Sequence, residues 1–320
     1  MYTLNINMLL NLIYLIILII MVMVSMAFLT LFERKVLGYI QNRKGPTKVM
    51  FLGLFQPFSD VIKLLNKEMF FLDKINFNYY MLMPMLSLML SMMLWLVYPF
   101  YINIYVMNIS IIIILGLMGL GVFPVMLGGW ASNSNYSMLG AMRSIAQSIS
   151  YEVSLFLIIF NLILLVESFS LLEFMKFQEN MKFLLMVYPI YLMFMISMLI
   201  ELNRTPFDLI EGESELVSGF NTEYFSGLFT LIFMSEYLNI IFMSFLMTVM
   251  FLGFYIMSVK FMLFMLFHMF FVIWIRGVLP RIRYDELMYM CWKKFLSLSL
   301  MYILFILSMK ELIIYMFMLS

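Results

Sequence analysis

Three carboxylates lie in long apolar stretches of this sequence, where an ionised group is costly. Glu152 and Glu236 lie within two of these stretches, and Glu201 ends a third. An ionised side chain at the middle of a membrane costs about 2.5–3.5 kcal/mol on insertion scales, unless it faces a polar interior or is protonated. Together the three acids predict a hydrated path through the protein that can carry protons. Structural ion pairing is the alternative that the pattern leaves open.

The stretch around Glu152 is polar over about half of its circumference. Ser144, Ser148 and Glu152 follow one another at every fourth position, which places them on one face of a helix. An adjacent stripe consists of Arg143, Gln147 and Ser154. The half of the stretch after Ser154 is almost wholly apolar. A helix of this kind can line a wet funnel that opens at one face of the membrane and ends inside it.

A second acidic group belongs to a predicted loop. Glu211, Glu213 and Glu215 occupy every second position within the segment EGESELVSGFN. Like charges this close together favour the uptake of a proton by one of them, so the loop is predicted to exchange protons with water. A solvated acidic loop without that role is the open alternative.

Other kinds of chemistry find little support in the sequence. The single cysteine, Cys291, can neither form a disulfide within the chain nor hold an iron–sulfur cluster alone. The only histidine, His268, lies in a Met- and Phe-rich segment and is predicted to pack or hydrogen-bond rather than bind a metal. No dinucleotide-binding glycine motif or P-loop occurs, and nothing indicates nucleic-acid binding. We therefore predict that this chain alone binds no metal or cofactor.

The elements that must position the acids are predicted to be membrane helices. Of the 320 residues, 65% are hydrophobic and 12% charged, whereas soluble domains are about half apolar and a quarter charged. Each crossing of a membrane needs about 20 apolar residues. The sequence therefore predicts an all-α polytopic membrane protein, a single integral domain over 1–320 with about eight transmembrane helices. The predicted spans are about 4–31, 79–99, 104–127, 137–166, 182–202, 226–259, 261–275 and 285–319.

Eight spans place both termini on one side of the membrane and four loops on the other. These loops are predicted at about 33–78, 128–136, 203–225 and 276–284. Within the first loop, the segments Val49–Phe58 and Ser59–Leu65 are predicted as short helices on the membrane surface. Most of the 19 basic residues fall on the loop-rich face, which the positive-inside rule makes the cytoplasmic or matrix side. The exceptions are Lys176, Lys182, Lys260 and Lys310.

The composition, which includes 38 methionines and 34 phenylalanines, is typical of an organelle-encoded chain, and the chain also contains five long motifs. A bacterial chain from an AT-rich genome is the alternative on composition alone. The motifs resemble, in order and content, the chain 1 family of mitochondrial NADH:ubiquinone oxidoreductase (respiratory complex I), over about residues 28–299. They are FLTLFERKVLGYIQNRKGPTKV, QPFSDVIKLLNKE, GWASNSNYSMLGAMRSIAQSISYEVSL, ELNRTPFDLIEGESELVSGFNTEY and WIRGVLPRIRYDELMYMCWKKFL.

This resemblance implies a core membrane subunit of a proton-pumping enzyme of the mitochondrial inner membrane. It implies that the chain forms part of the tunnel through which ubiquinone, the substrate, reaches the terminal iron–sulfur cluster. The expected partners are the 49-kDa-type and 20-kDa-type arm subunits, neighbouring small membrane chains and membrane lipids. FMN and the iron–sulfur clusters are expected in partner subunits, so this chain alone has no complete active site.

The resemblance also implies roles for individual residues. The positions that match the quinone tunnel are Arg34, Asp60, Phe220 and Arg281. The positions that match the buried acidic path are Glu152, Glu201 and Glu236. The positions that match its loop entrance are Glu211, Glu213, Glu215 and Glu223.

Three alternatives remain open at this point. Buried acids in a helix bundle also serve autonomous proton or cation transporters, although no inverted repeat is visible here. A membrane subunit of a related hydrogenase would share the ancestry without using quinone. A purely structural anchor for a soluble arm would have no need for the three buried acids.

Overall fold

Long apolar helices make up most of the fold, because a chain in lipid has no water to satisfy its backbone N–H and C=O groups. Seven helical segments in the described part of the chain are long and apolar enough to cross a membrane. The expected fold class, an all-α polytopic membrane protein, is therefore confirmed. The structure, a computed structural model, describes residues 2–70, 74–99, 107–179, 181–208 and 223–319.

The helices are numbered here in chain order. Two short 3₁₀ turns, at Phe51–Gly53 and Trp95–Val97, and two π turns, at Thr248–Leu252 and Met290–Phe295, accompany them. The α-helices are α1 (Tyr2–Ile40), α2 (Gln56–Leu65), α3 (Phe77–Leu94), α4 (Ser110–Leu120), α5 (Val122–Ala131), α6 (Asn135–Val166), α7 (Leu171–Phe177), α8 (Phe183–Met186), α9 (Tyr188–Glu201), α10 (Ser226–Met247), α11 (Val259–Val278), α12 (Tyr284–Tyr289) and α13 (Leu296–Leu319).

The fifth predicted span, 182–202, is broken into two pieces. The helix stops at Val187 and restarts as α9, which has Pro189 in its first turn. A proline is tolerated there because it lacks only an N–H that has no helical partner anyway. With 14 residues, α9 is about 21 Å long at 1.5 Å per residue. This helix is shorter than the hydrocarbon core of a bilayer. It is apolar, but it is not as long as the seven segments that could cross a membrane.

The first loop, predicted to begin at residue 33, begins later because α1 does not stop where its apolar run stops. Glu, Arg and Lys are good helix formers, and the helix continues through them to Ile40. It ends where Asn42 takes a left-handed conformation, with φ of 55°. Glu33 and Arg34 therefore lie on a helix and not in a loop.

Other predicted boundaries shift in the same way. A single helix, α2, replaces the two surface helices predicted at 49–58 and 59–65, and only a 3₁₀ turn precedes it. The loops predicted at 128–136 and 276–284 shrink to 132–134 and 279–283, because the flanking helices are longer than expected. The loop predicted at 203–225 does follow α9, but its residues 209–222 lie outside the described ranges.

Two glycines end helices inside apolar segments that were predicted to be continuous. Gly121 separates α4 from α5, where one span over 104–127 was expected. Gly253, with φ of 50°, ends the π turn that follows α10, so the span expected to reach residue 259 stops early. The side chain of Gln178 caps this end, since its Nε2 donates to the carbonyl of Met250 at 2.9 Å.

The helices α6 and α10 lie at the centre of the bundle. In the segment that contains α10, 61% of the most apolar window is buried within the chain, but only 11% in the segment that contains α13. The first is thus an inner helix, and the second faces lipid or other chains. α6 packs closely on α5, because a Cβ on Gly129 would lie 2.2 Å from the Cβ of Ala141. A small residue at this contact allows the two backbones to approach.

Candidate functional site

The three predicted acids lie around two adjoining cavities. Glu201 and Glu236 line the first, of about 150 Å³. Glu152 and Glu201 line the second, of about 310 Å³. Glu201 and Met118 belong to the walls of both. The helices α6, α9 and α10 therefore bring the three carboxylates together, with Glu201 between the other two.

The two cavities differ in their lining. The first is bordered by several polar side chains, which are Ser87, Ser91, Ser144, Ser148, Ser235, Asn203 and Asn239. The second has no polar lining residue except Glu152 and Glu201 among the residues that the structure describes. Of the predicted polar stripe on α6, Ser144 and Ser148 thus face the first cavity, and Glu152 faces the second.

Several polar atoms at these cavities are buried without a hydrogen-bond partner among the described residues. They are Oε1 of Glu152, Oε2 of Glu201 and Oδ1 of Asn239. Buried polar atoms in proteins almost always have a partner, and where the protein supplies none, ordered water does. The geometry therefore suits carboxyl groups that exchange protons with internal water.

Gln147 fixes the position of Glu201 relative to α6. It is fully buried, and its Nε2 donates to Oδ1 of Asn203 at 3.1 Å and to the carbonyl of Ile200 at 3.3 Å. These bonds hold the carboxyl end of α9 against α6. On the other side, Gly119 of α4 faces Glu152, since a Cβ there would lie 3.6 Å from Oε2 of that carboxylate.

Arg34 and Asp60, both predicted for the quinone tunnel, form an ion pair between α1 and α2. Gln56 steadies Asp60, because its Nε2 donates to Oδ1 of the aspartate at 3.0 Å. The side chain of Arg34 is 52% exposed. Its guanidinium therefore keeps exposed surface while the carboxylate fixes its position.

Arg281 lies in the loop between α11 and α12, and this loop contacts the loop that follows α9. Nη2 of Arg281 lies 3.9 Å from Oδ2 of Asp208, which is buried. The backbone N–H of Ile282 donates to the carbonyl of Pro206 at 2.9 Å. Two loops far apart in the sequence thus converge, a relation that residue spacing could not predict.

A buried cluster around Glu33 was not predicted from the sequence. Oε1 of Glu33 accepts from Nη1 of Arg204 at 3.1 Å and also from Nη1 of Arg276. The hydroxyl of Tyr237 donates to Oε2 at 2.7 Å. The guanidinium of Arg204 lies over the ring of Tyr237, with 4.8 Å from Cζ to the ring centroid. One carboxylate therefore ties α1 to α10, to α11 and to the loop after α9.

A signal for this cluster was present in the sequence. The buried residues Met26, Leu29 and Glu33 follow the three- and four-residue spacing of one helix face. A helix continued beyond the apolar run would have placed Glu33 on the inner face of α1. The cluster was missed because the predicted span ended at Leu31.

The remaining predicted residues belong to the loop after α9. Phe220, Glu211, Glu213 and Glu215 lie outside the described residues. Glu223 is half-buried, and its carbonyl accepts a hydrogen bond from the hydroxyl of Tyr80. Within the described ranges, no three His, Cys, Asp or Glu side chains form a group that could hold a metal ion.

Comparison with known proteins decides the family. The sequence matches the model of the NADH dehydrogenase family over residues 13–307. The chain belongs to this family. The motifs had predicted this membership, which is confirmed, and with it the expected class, a chain of an oxidoreductase.

Relatives of this NADH dehydrogenase family member are similar over almost the whole chain. NADH-ubiquinone oxidoreductase chain 1 of Apis mellifera ligustica is 56% identical over 288 residues, which cover 90% of this chain and 94% of that protein. The protein of the same name from Aedes aegypti is 50% identical over 287 residues, 90% of this chain and 92% of its own. The protein of the same name from Branchiostoma lanceolatum is 43% identical over 295 residues, which cover 92% of this chain and 94% of that protein.

Proposed function

We propose that this chain is a core membrane subunit of a proton-pumping NADH:ubiquinone oxidoreductase of the mitochondrial inner membrane. The names of its relatives support the enzyme. One observation carries the proton half of the proposal: Glu201 borders two cavities, with Glu236 in the first and Glu152 in the second. A proton held by Glu201 can therefore pass to either side without crossing lipid.

The lining of the cavities supports this role. Serine and asparagine side chains around the first cavity can hold water, which is needed to move protons between carboxyl groups. The apolar lining of the second cavity restricts water to the neighbourhood of Glu152 and Glu201. Each of these two acids has a buried oxygen that no described residue satisfies, so each depends on water or on its own proton.

The quinone half of the proposal rests on the loop-rich face. Arg34 presents a planar guanidinium that Asp60 holds in place, and such a group can donate hydrogen bonds to a quinone carbonyl. Arg281 is held in a second loop by Asp208. Phe220 remains a predicted tunnel residue. The glutamates at 211, 213, 215 and 223 remain the predicted loop entrance of the acidic path.

The partners follow from this role. FMN and the iron–sulfur clusters belong to other subunits, and this chain contributes side chains around the path of ubiquinone. The 49-kDa-type and 20-kDa-type arm subunits are expected on the loop-rich face, and small membrane chains and lipids around the helices. Purification in mild detergent should recover this chain in a large assembly that contains flavin and clusters. Recovery of a stable lone chain would instead support an autonomous transporter.

The proton path is tested by replacing one titratable carboxyl group at a time with an amide. In the assembled enzyme in sealed vesicles, Glu201→Gln and Glu152→Gln should abolish NADH-driven proton uptake. Both variants should leave NADH oxidation by an artificial acceptor unchanged, because electrons then bypass the quinone. Glu173→Gln, at an exposed glutamate of α7, is the matched control and should pump normally. Normal pumping by both cavity variants would refute the proposed path.

A further inference from the structure

Tyr224 is a buried residue that the predicted acidic path does not include. It lies between Glu223 and the first residue of α10, and only 3% of its surface is exposed. Its ring stacks face to face on the ring of Tyr80, with 4.4 Å between centroids and 3° between planes. The stack fixes the ring, and thereby the direction in which the hydroxyl points.

The hydroxyl of Tyr224 points toward the wall of the first cavity. A Cβ built on Gly128 would lie 3.2 Å from Oη of Tyr224 and 3.0 Å from Cγ of Met83. Met83 itself lines the cavity that contains Glu201 and Glu236. The absent side chain of Gly128 thus lets Oη and the Met83 side chain approach each other, with only a narrow gap that an added methyl group would not fit without a shift of its neighbours. Met83, whose thioether is flexible, is the residue of this place that also lines the cavity.

Two polar atoms of this segment are buried without a hydrogen-bond partner among the described residues. They are Oη of Tyr224 and Oε2 of Glu223. Leaving a buried polar atom unsatisfied is unfavourable, so water is the expected partner of both. The two atoms belong to consecutive residues, and Oη of Tyr224 is the one that lies beside Gly128.

Burial, and to a smaller extent the nearby Tyr80 and Glu223, raises the pKa of the Tyr224 hydroxyl above its usual value. The hydroxyl therefore keeps its proton at neutral pH. A neutral hydroxyl can accept a proton on one lone pair while it releases its own proton to a neighbour. Such a group transfers protons without becoming charged in a buried place.

We propose that the Tyr224 hydroxyl transfers protons between Glu223 and the cavity shared by Glu201 and Glu236. In each step, Oη accepts a proton from the Glu223 side and releases its original proton to water on the Met83 side. One O–H bond forms as another breaks, and no electron moves. This inference rests on the proposed function, because it needs the cavity acids to carry protons.

The test is Tyr224→Phe in the assembled enzyme in sealed vesicles, because phenylalanine keeps the stacked ring and removes only Oη. Positioned proton-transfer groups contribute about 10²–10⁴-fold, so proton uptake and quinone-linked turnover should both fall by at least about 100-fold. NADH oxidation by an artificial acceptor should not change. Any residual quinone-linked turnover should show a larger solvent deuterium isotope effect, which a loss of packing alone would not produce.

Tyr80→Phe is the matched control, because it removes the other hydroxyl of the same stack, which donates to a backbone carbonyl. It should lose far less pumping than Tyr224→Phe, because it removes a hydrogen bond to the Glu223 backbone and no proton-transfer group. Gly128→Ala is a second, independent variant, whose methyl group would crowd Oη of Tyr224 and the side chain of Met83. It should slow pumping even where Tyr224→Phe fails to assemble. Normal pumping by Tyr224→Phe, or equal losses in Tyr224→Phe and Tyr80→Phe, would overturn the relay.

The carboxylate variants separate the two proposals. If Glu201→Gln stops pumping and Tyr224→Phe does not, only the relay is wrong. If neither variant affects pumping, the proposed acidic path is wrong as well. If both stop pumping while Tyr80→Phe does not, both proposals stand.

Discussion

The buried Glu33 cluster allows a quantitative prediction for Glu33→Gln. This substitution keeps the size of the side chain and an acceptor oxygen for Tyr237, but it removes the negative charge between two guanidinium groups. The Glu33 and Arg204 side chains are only 6% and 4% exposed, so water cannot replace the lost charge. Removing one partner of a buried ion pair costs about 3–5 kcal/mol.

The measurement is the temperature at which half of the quinone-linked activity survives a fixed incubation. A loss of about 3–5 kcal/mol should lower this temperature by on the order of 5–10 °C. Glu167→Gln is the matched control, since this glutamate pairs with Lys310 but is 77% exposed. Exposed pairs contribute little, so the control should inactivate at the wild-type temperature.

A double variant tests whether charge balance is the cause. Arg276→Gln removes one of the two positive groups that contact Glu33. Glu33→Gln combined with Arg276→Gln should therefore be less destabilised than the sum of the two single variants, by about 0.5–3 kcal/mol. Wild-type stability of Glu33→Gln, or strictly additive losses in the double variant, would refute the reasoning.

Two further predictions concern the quinone-facing pair and the helix contact. Arg34→Ala should raise the KM for quinone roughly tenfold or more, as expected for the loss of a charge-assisted hydrogen bond. Arg43→Ala, at an exposed arginine, is the control and should leave the KM unchanged. Equal KM values in both variants would show that Arg34 does not bind quinone. Gly129→Ala should reduce the amount of assembled enzyme seen on native gels, because its Cβ would lie 2.2 Å from that of Ala141 and overpacking costs about 1–3 kcal/mol. Gly116→Ala, with nothing within 4 Å of the added Cβ, should assemble normally, and equal amounts of both variants would contradict the close α5–α6 contact.

The fold class was predictable because bilayer thickness sets the length of an apolar run. Hydropathy alone, however, treats the first charged residue as the edge of the membrane. This assumption ended the first span before Glu33, although the helix continues to Ile40. The buried ion pairs of Glu33 could therefore not be predicted. Charges that pair inside the protein do not end a helix.

The candidate site was predictable in part. Glu152 and Glu236 stood out because carboxylates are rare in apolar stretches. That Glu201 faces both of their cavities depends on the rotation of α9 and on Gln147, and neither is encoded in local spacing. Tyr224 was missed because tyrosine is common at membrane boundaries. Its place in a buried cluster with Met83, beside Gly128, distinguishes it from an ordinary boundary residue.

The first residues of the loop after α9 limit how this protein can be divided. Residues 204–208 are buried although they form no helix, and irregular backbone is tolerated at such a place only when other parts of the protein enclose it. Its contacts come from distant segments: Gln147 reaches the carbonyl of Phe207, Ile282 reaches Pro206, and Glu33 holds Arg204. A fragment that ends before α11 would therefore lose one of these three contacts, the hydrogen bond from Ile282 to Pro206. The surroundings of Glu201 form only when the first, middle and last thirds of the chain have come together.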